Sequence, residues 1–113
     1  SFYGANVYPE SVMIGLEQPE LVELVTGKFV MQVCEDGQLD SLLEIAVELA
    51  RGVESSAHLA ARVAQSIRLH LERLNSEFLN YVPSERRTPR IKLLQHGDPQ
   101  YFPLGVKHRY TRA

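Results

Sequence analysis

Six apolar side chains, Leu59, Val63, Ile67, Leu71, Leu74 and Phe78, recur at steps of four, four, four, three and four. That spacing lays one apolar stripe along an α-helix and leaves its other side polar. Arg62, Arg68, Glu72 and Arg73 fall off the stripe. The pattern predicts a helix over 56–81, capped by Ser55 or Ser56 and about 39 Å long at ~1.5 Å per residue. A helix that is apolar on one side must bury that side against a second layer. This one feature therefore demands a layered fold.

The second layer is legible as strands. From Ser41 to Ala50 the chain alternates, with Leu43, Ile45, Val47 and Leu49 facing one way and Glu44 and Glu48 the other. Leu, Glu and Ala would favour a helix here, but the period of two decides for a strand. Glu44 and Glu48 are expected on a solvated face. Lys28–Glu35 reads as the preceding strand, joined through Glu35-Asp36-Gly37-Gln38, where Asp-Gly is hairpin-turn chemistry. Arg90–Gln95 is the last clear strand, and Phe2–Tyr8 reads as a short strand or extended opening. Pro9 beside Glu10 starts a helix running to about Gln18, weakened in its middle by Gly15. Pro19-Glu20 repeats the start signal for a second short helix stopped by Gly27. The expected fold is α+β: a small two-layer sandwich, an antiparallel sheet of three or four strands with helices on one face. The other face would be left for a partner.

A chain of 113 residues is one domain by length, too short for a catalytic domain plus a lid. The net charge of −2 gives no total that points to nucleic acid. Its distribution is uneven. Residues 1–83 hold five Lys/Arg against twelve Asp/Glu, and residues 84–113 hold seven against two. A basic end on an acidic body either meets an anion or neutralises its own domain. Cys34 is the one cysteine, so no internal disulfide forms, which fits a reducing, cytoplasmic compartment. Cys34 is expected to be a buried structural thiol. No apolar run approaches the roughly 20 residues of a bilayer span, and no signal peptide is expected. Starting at Ser1 without Met, the chain reads as a piece of a longer protein.

No phosphate loop, zinc cluster, dinucleotide fingerprint or nucleophile elbow is present. His58 and His70 are twelve residues apart on the predicted helix, too far to share a metal, and no metal site is expected. Two stretches stand out instead, at opposite ends. One is Tyr3-Gly4-Ala5-Asn6-Val7-Tyr8-Pro9-Glu10. The other lies in the tail, 98–113, where Gly105, Lys107 and Arg109 sit among aromatics. Pro103 and Gly105 prevent regular structure there, and Gly105 lets the backbone turn sharply before a single Lys.

Together these stretches resemble the C-terminal domain of AMP-forming adenylate ligases, in the branch of phenylacetate–CoA ligases, coenzyme F390 synthetases and CapK-like capsule proteins. That domain opens with Gly-x-Asn-Val-(Phe/Tyr)-Pro, matched by Gly4, Asn6, Val7, Tyr8 and Pro9. It ends in a Gly-containing loop with a lysine and a nearby arginine, which Gly105, Lys107 and Arg109 resemble. In many members the Gly and Lys are adjacent, whereas Val106 intervenes here.

The resemblance implies a mobile C-terminal lid over 1–113, carrying a catalytic-lysine loop over 98–113, in an ATP-dependent acyl- or aryl-acid ligase. Such an enzyme converts carboxylate and ATP to acyl-AMP, then makes a thioester with CoA or a carrier thiol. Lys107 would be catalytic, Arg109 and Gly105 would contact nucleotide or substrate, and Gly4 and Asn6 would lie by the hinge and the thiol path. ATP and Mg²⁺ would be held mainly by an N-terminal adenylation domain of the same parent chain, the implied partner. This piece alone would be inactive. Neither nucleic acid nor membrane is an implied partner, and a homodimer stays open.

Two rivals follow from the residues alone. One is a free-standing α+β regulatory or small-ligand-binding module that dimerises through its open sheet. The other is an anion- or RNA-binding module using Arg86, Arg87, Arg90, Lys92 and the tail. Against the latter, no strand face interleaves aromatics with cations, as stacking readers require.

Overall fold

The computed structural model describes residues 1–35, 37 and 40–113. In chain order it contains α1 (Pro9–Leu16), β1 (Val25–Glu35), β2 (Ser41–Leu49), α2 (Ala57–Leu74), α3 (Ser76–Tyr81), a 3-10 turn (Ser84–Arg86), β3 (Arg90–Leu94) and β4 (Thr111–Arg112). The strands form one sheet in the order β3-β2-β1-β4. Helices cover one face, so the two-layer α+β architecture is as the sequence predicts. The core lies between the layers, where Phe29, Met31, Ile45 and Val47 meet Leu16, Val63, Ile67 and Phe78.

The sheet is mixed rather than antiparallel. β1 and β2 pair antiparallel, with Phe29 opposite Val47 and Met31 opposite Ile45. β3 runs parallel to β2, and β4 parallel to β1. The connections are the cause. A helical crossover through α2 and α3 returns the chain to the end of the sheet where β2 began, so β3 must run the same way. The predicted turn over 35–38 falls partly outside the described residues.

Three predicted elements differ. Phe2–Tyr8 is not a strand. Phe2 and Ala5 exchange two backbone hydrogen bonds, 2.8 and 2.9 Å, across Tyr3 (φ 51°) and Gly4 (φ 82°). Two successive positive φ angles make this a type I′ turn, which is why a glycine stands at position 4. Residues 19–24 form hydrogen-bonded turns rather than a helix, and β1 begins at Val25, which pairs with Leu49. The long helix breaks at Asn75 (φ −132°), and Leu74 leaves the stripe at 53% exposure. Ser56 caps α2 through the N–H of Leu59, as expected.

The break and the packing have local causes. The Asn75 carboxamide oxygen accepts from the Phe78 N–H at 3.0 Å, capping α3. Its Nδ2 donates to the Asn6 carbonyl at 2.7 Å, and the Asn6 N–H donates to Glu77 Oε1 at 3.1 Å. Gly15 lies where α1 meets α2. A Cβ there would come within 3.0 Å of Ile67 Cα, so the residue that weakens the helix also permits the contact. The Ser66 hydroxyl closes it by donating to the Gly15 carbonyl at 2.7 Å.

The second face is not bare. Residues 95–110 cross it as a strap from β3 to β4. Phe102, 1% exposed, packs on Val30 and Ala46. Glu44 and Glu48, expected in solvent, are buried instead. The segment that covers them lies some fifty residues further along the chain, beyond the reach of local periodicity. Cys34 is half-buried rather than buried.

Candidate functional site

Each end of the strap is fastened by a polar contact to the sheet. After β3, the Gly97 N–H donates to Glu48 Oε2 at 2.8 Å, while the Thr26 hydroxyl donates to Oε1 at 2.7 Å. Both oxygens of a carboxylate only 2% exposed are thereby satisfied. Asp98 Oδ1 accepts the N–H groups of Gln100 and Tyr101, each at 3.0 Å. At the far end, His108 Nε2 lies 2.7 Å from the Phe29 carbonyl. A carbonyl only accepts, so Nε2 carries the proton. The His108 ring stands edge-on to Tyr110 at 4.6 Å, and the Met31 N–H donates to the Tyr110 carbonyl at 2.7 Å, leading into β4.

Between the anchors Phe102 and His108, the strap projects a turn. Gly105 sits at φ 76°, and a Cβ there would meet no atom within 4 Å. Backbone conformation, not crowding, thus calls for glycine at this tip. Leu104 and Val106, on either side, are 68% and 62% exposed. Lys107 and Arg109 are exposed, and among the described residues neither makes a hydrogen bond or an ion pair.

The seven cations of the basic C-terminal third divide cleanly. Arg86 pairs with Asp40 at 3.0 Å and Arg87 with Glu72 at 3.2 Å. Arg90 pairs with Glu44, and Lys92 reaches the same carboxylate at 3.7 Å. A hydrogen bond from Lys92 to the Tyr101 hydroxyl, 3.0 Å, together with Glu44, holds the Lys92 ammonium above its ordinary pKa despite partial burial. Lys107, Arg109 and Arg112 have no carboxylate partner among the described residues. Arg112 is held instead by the Tyr101 ring, 4.2 Å from the guanidinium carbon, and by the Gln100 carbonyl at 3.0 Å. All three line one cleft of about 390 Å³, walled on its apolar side by Val30, Pro103 and Val106.

The two ends singled out in the sequence border different pockets, both of which touch β4. Asn6, Val7 and Tyr8 border a smaller pocket of about 270 Å³ that also touches Thr111 and Arg112. Lys107 does not line it. Gly4 faces Tyr81, 4.0 Å from where a Cβ would stand. The structure thus sets Lys107 and Arg109 on one cleft beside the Gly105 turn, and Gly4 and Asn6 do not line that cleft. Sequence reasoning passed over Arg112, Tyr101 and His108. Their signal was an unusual density of rings beside cations in a stretch without period. Among the described residues, no group of three His, Cys, Asp or Glu side chains could hold a metal ion. None of the described helices is long and apolar enough to cross a membrane.

A mixed sheet with one helical layer and a strap across its second face defines the class: a small two-layer α+β domain. Among solved structures it is similar to the crystal structure of a domain of phenylacetate-coenzyme A ligase from Bacteroides vulgatus. The TM-score is 0.51 and the identity 19%, over 83% of this chain and 76% of that one. At that identity the likeness establishes a shared fold. No protein-family model matches the chain, and no curated protein matches it.

Proposed function

We propose that these 113 residues are the mobile C-terminal domain of an AMP-forming acid–thiol ligase of the phenylacetate–CoA ligase, coenzyme F390 synthetase and CapK-like branch, with Lys107 as its adenylation lysine. The observation that carries the reading is the Gly105 turn. On a fold shared with a phenylacetate-coenzyme A ligase domain, it holds an exposed lysine with no carboxylate partner among the described residues.

ATP, when bound, supplies the α-phosphoryl group that a carboxylate attacks with loss of pyrophosphate. Lys107 meets the charge that builds on the phosphoryl oxygens, and its ammonium donates hydrogen bonds where that charge develops. Leu104 and Val106, on either side of Gly105, exclude water when the turn closes on a partner surface. Arg109 gives a second cationic contact. Mg²⁺ would be held by the phosphates and the larger domain. The flank carrying Gly4 and Asn6 faces the thiol, CoA or a carrier arm, in the second half-reaction. The rival module, dimerising through a bare sheet face, finds that face crossed by the strap around Phe102.

The test uses the full-length protein containing this chain. Lys107→Ala should lower pyrophosphate release with aryl or acyl acids by roughly 10²–10³-fold, the range for losing one transition-state donor. Thioester formation from a supplied acyl-adenylate should persist. Undiminished pyrophosphate release would remove Lys107 from the chemistry and the reading with it.

A further inference from the structure

We infer that the cleft between the strap turn and β4 is itself a binding site for a small phosphate ester, formed by Lys107, Arg109 and Arg112. The inference goes beyond the ligase reading, since the site is complete within this chain and needs no second domain.

The charge distribution carries it. Four of the seven C-terminal cations meet carboxylates of the acidic body, and the other three meet none among the described residues. Those three share one cleft whose lining, among the described residues, contains no Asp or Glu side chain. Its volume, about 390 Å³, falls within the span of small-ligand pockets, roughly 300–1,000 Å³. Arg112 is already positioned. The Tyr101 ring and the Gln100 carbonyl fix its guanidinium, and among the described residues only Nη2 is engaged in a hydrogen bond, which leaves the other N–H groups for an anion. A guanidinium matches phosphate oxygens in pairs, and the ordering is done before the ligand arrives. Three cations suit a phosphomonoester, which carries about 1.5 to 2 negative charges near neutrality, better than a carboxylate with one. Val30, Pro103 and Val106 give the apolar wall against which the ester's organic group would lie.

The experiment titrates the 113-residue chain with phenyl phosphate, inorganic phosphate and phenylacetate, following backbone amide resonances. Phenyl phosphate should give saturable shifts confined to residues 100–113 and neighbouring β1. Its affinity should be at least tenfold above that of phenylacetate and measurably above that of inorganic phosphate. Lys107→Gln combined with Arg109→Gln removes two exposed cations without touching the core, and should weaken phenyl phosphate at least tenfold. Arg112→Lys keeps the charge but loses the planar donor, and should weaken it severalfold.

Absence of saturable shifts, native affinity in the double variant, or shifts centred on α2 would each overturn the assignment. So would tighter binding of a single-stranded RNA oligomer than of phenyl phosphate at physiological salt, because the site would then read a polymer backbone. The two readings fail separately. A chain that binds no phosphate ester while Lys107→Ala still abolishes adenylation sinks only this inference. Binding with adenylation indifferent to Lys107 sinks only the ligase reading.

Discussion

The two faces of the sheet are covered by different means. On the helical side, Phe2, Leu16, Phe29, Ile45, Ile67 and Phe78 belong to one continuous apolar cluster. On the strap side the apolar nucleus is smaller, Val30, Ala46 and Phe102 with Leu94 and Tyr101 packed against it, and polar contacts supply much of the remaining cover. Glu48 ties Thr26 to Gly97, Glu44 gathers Arg90 and Lys92, and His108 hangs from the Phe29 carbonyl. Apolar burial is cooperative and non-directional, so the helical face comes apart as a whole. Hydrogen bonds are directional and contribute about 0.5–1.5 kcal/mol each, somewhat more with a charged partner. A cover held that way can open in pieces while the sheet stays intact. The domain thus puts its stability on one side and its adjustable surface on the other.

The harshest way to break that comparison is Ile67→Ala, in the middle of the helical cluster and against Gly15. It should cost about 2–5 kcal/mol. In a urea melt the amides of β1, β2 and the strap should lose protection together. Retention of strand protection would mean that this face is not the stabilising one.

Glu48→Leu probes the other side. It leaves the Gly97 N–H and the Thr26 hydroxyl without their acceptor, at a cost of about 1–3 kcal/mol. Hydrogen exchange should accelerate over 95–110 and stay unchanged in α2. Glu48→Gln should restore most of the protection, because a carboxamide can accept from one partner and donate to the other. Equal acceleration in α2 would show that the two covers do not open separately.

The smallest effect is in Lys92. Its folded-state pKa is held above the ordinary value of 10.5 by Tyr101 and Glu44. What it adds to stability is therefore fully present below pH 10.5 and is lost as pH rises through its raised value. With its side chain partly in solvent the contribution is modest. Lys92→Met should flatten strap exchange between neutral and strongly alkaline pH relative to the native chain. An unchanged slope would mean that Lys92 does not help hold the strap.

What was legible in the sequence follows the range of the interaction. The stripe through Leu59, Val63, Ile67 and Leu71 and the alternation through Leu43, Ile45, Val47 and Leu49 are local; the strand formed as read, and the helix as far as Leu74. The break at Asn75 was hidden because the step from Leu74 to Phe78 keeps the helical period. The competing signal was a capping Asn three residues before Phe78. Glu44 and Glu48 obeyed alternation but not its usual consequence, since a late segment folds back over them. The parallel pairings of β3 and β4 depend on the path of whole connections, which no window of residues contains. At the candidate site, the turn at Gly105 and its lysine could be picked out. The division of cations into paired and unpaired could not, because every carboxylate partner is distant in sequence.

Asn75 has a mechanical consequence. One carboxamide grips the helix break and the backbone of Asn6 at once, and Glu77 grips Asn6 again from the next turn. A twist applied at the first residues is therefore transmitted to the helical layer as to a shaft keyed to its wheel. Among the described residues no such link holds Lys107, whose side chain makes neither a hydrogen bond nor an ion pair. The domain has a stiff handle and a compliant fingertip, and Asn75 is the key that makes the handle stiff.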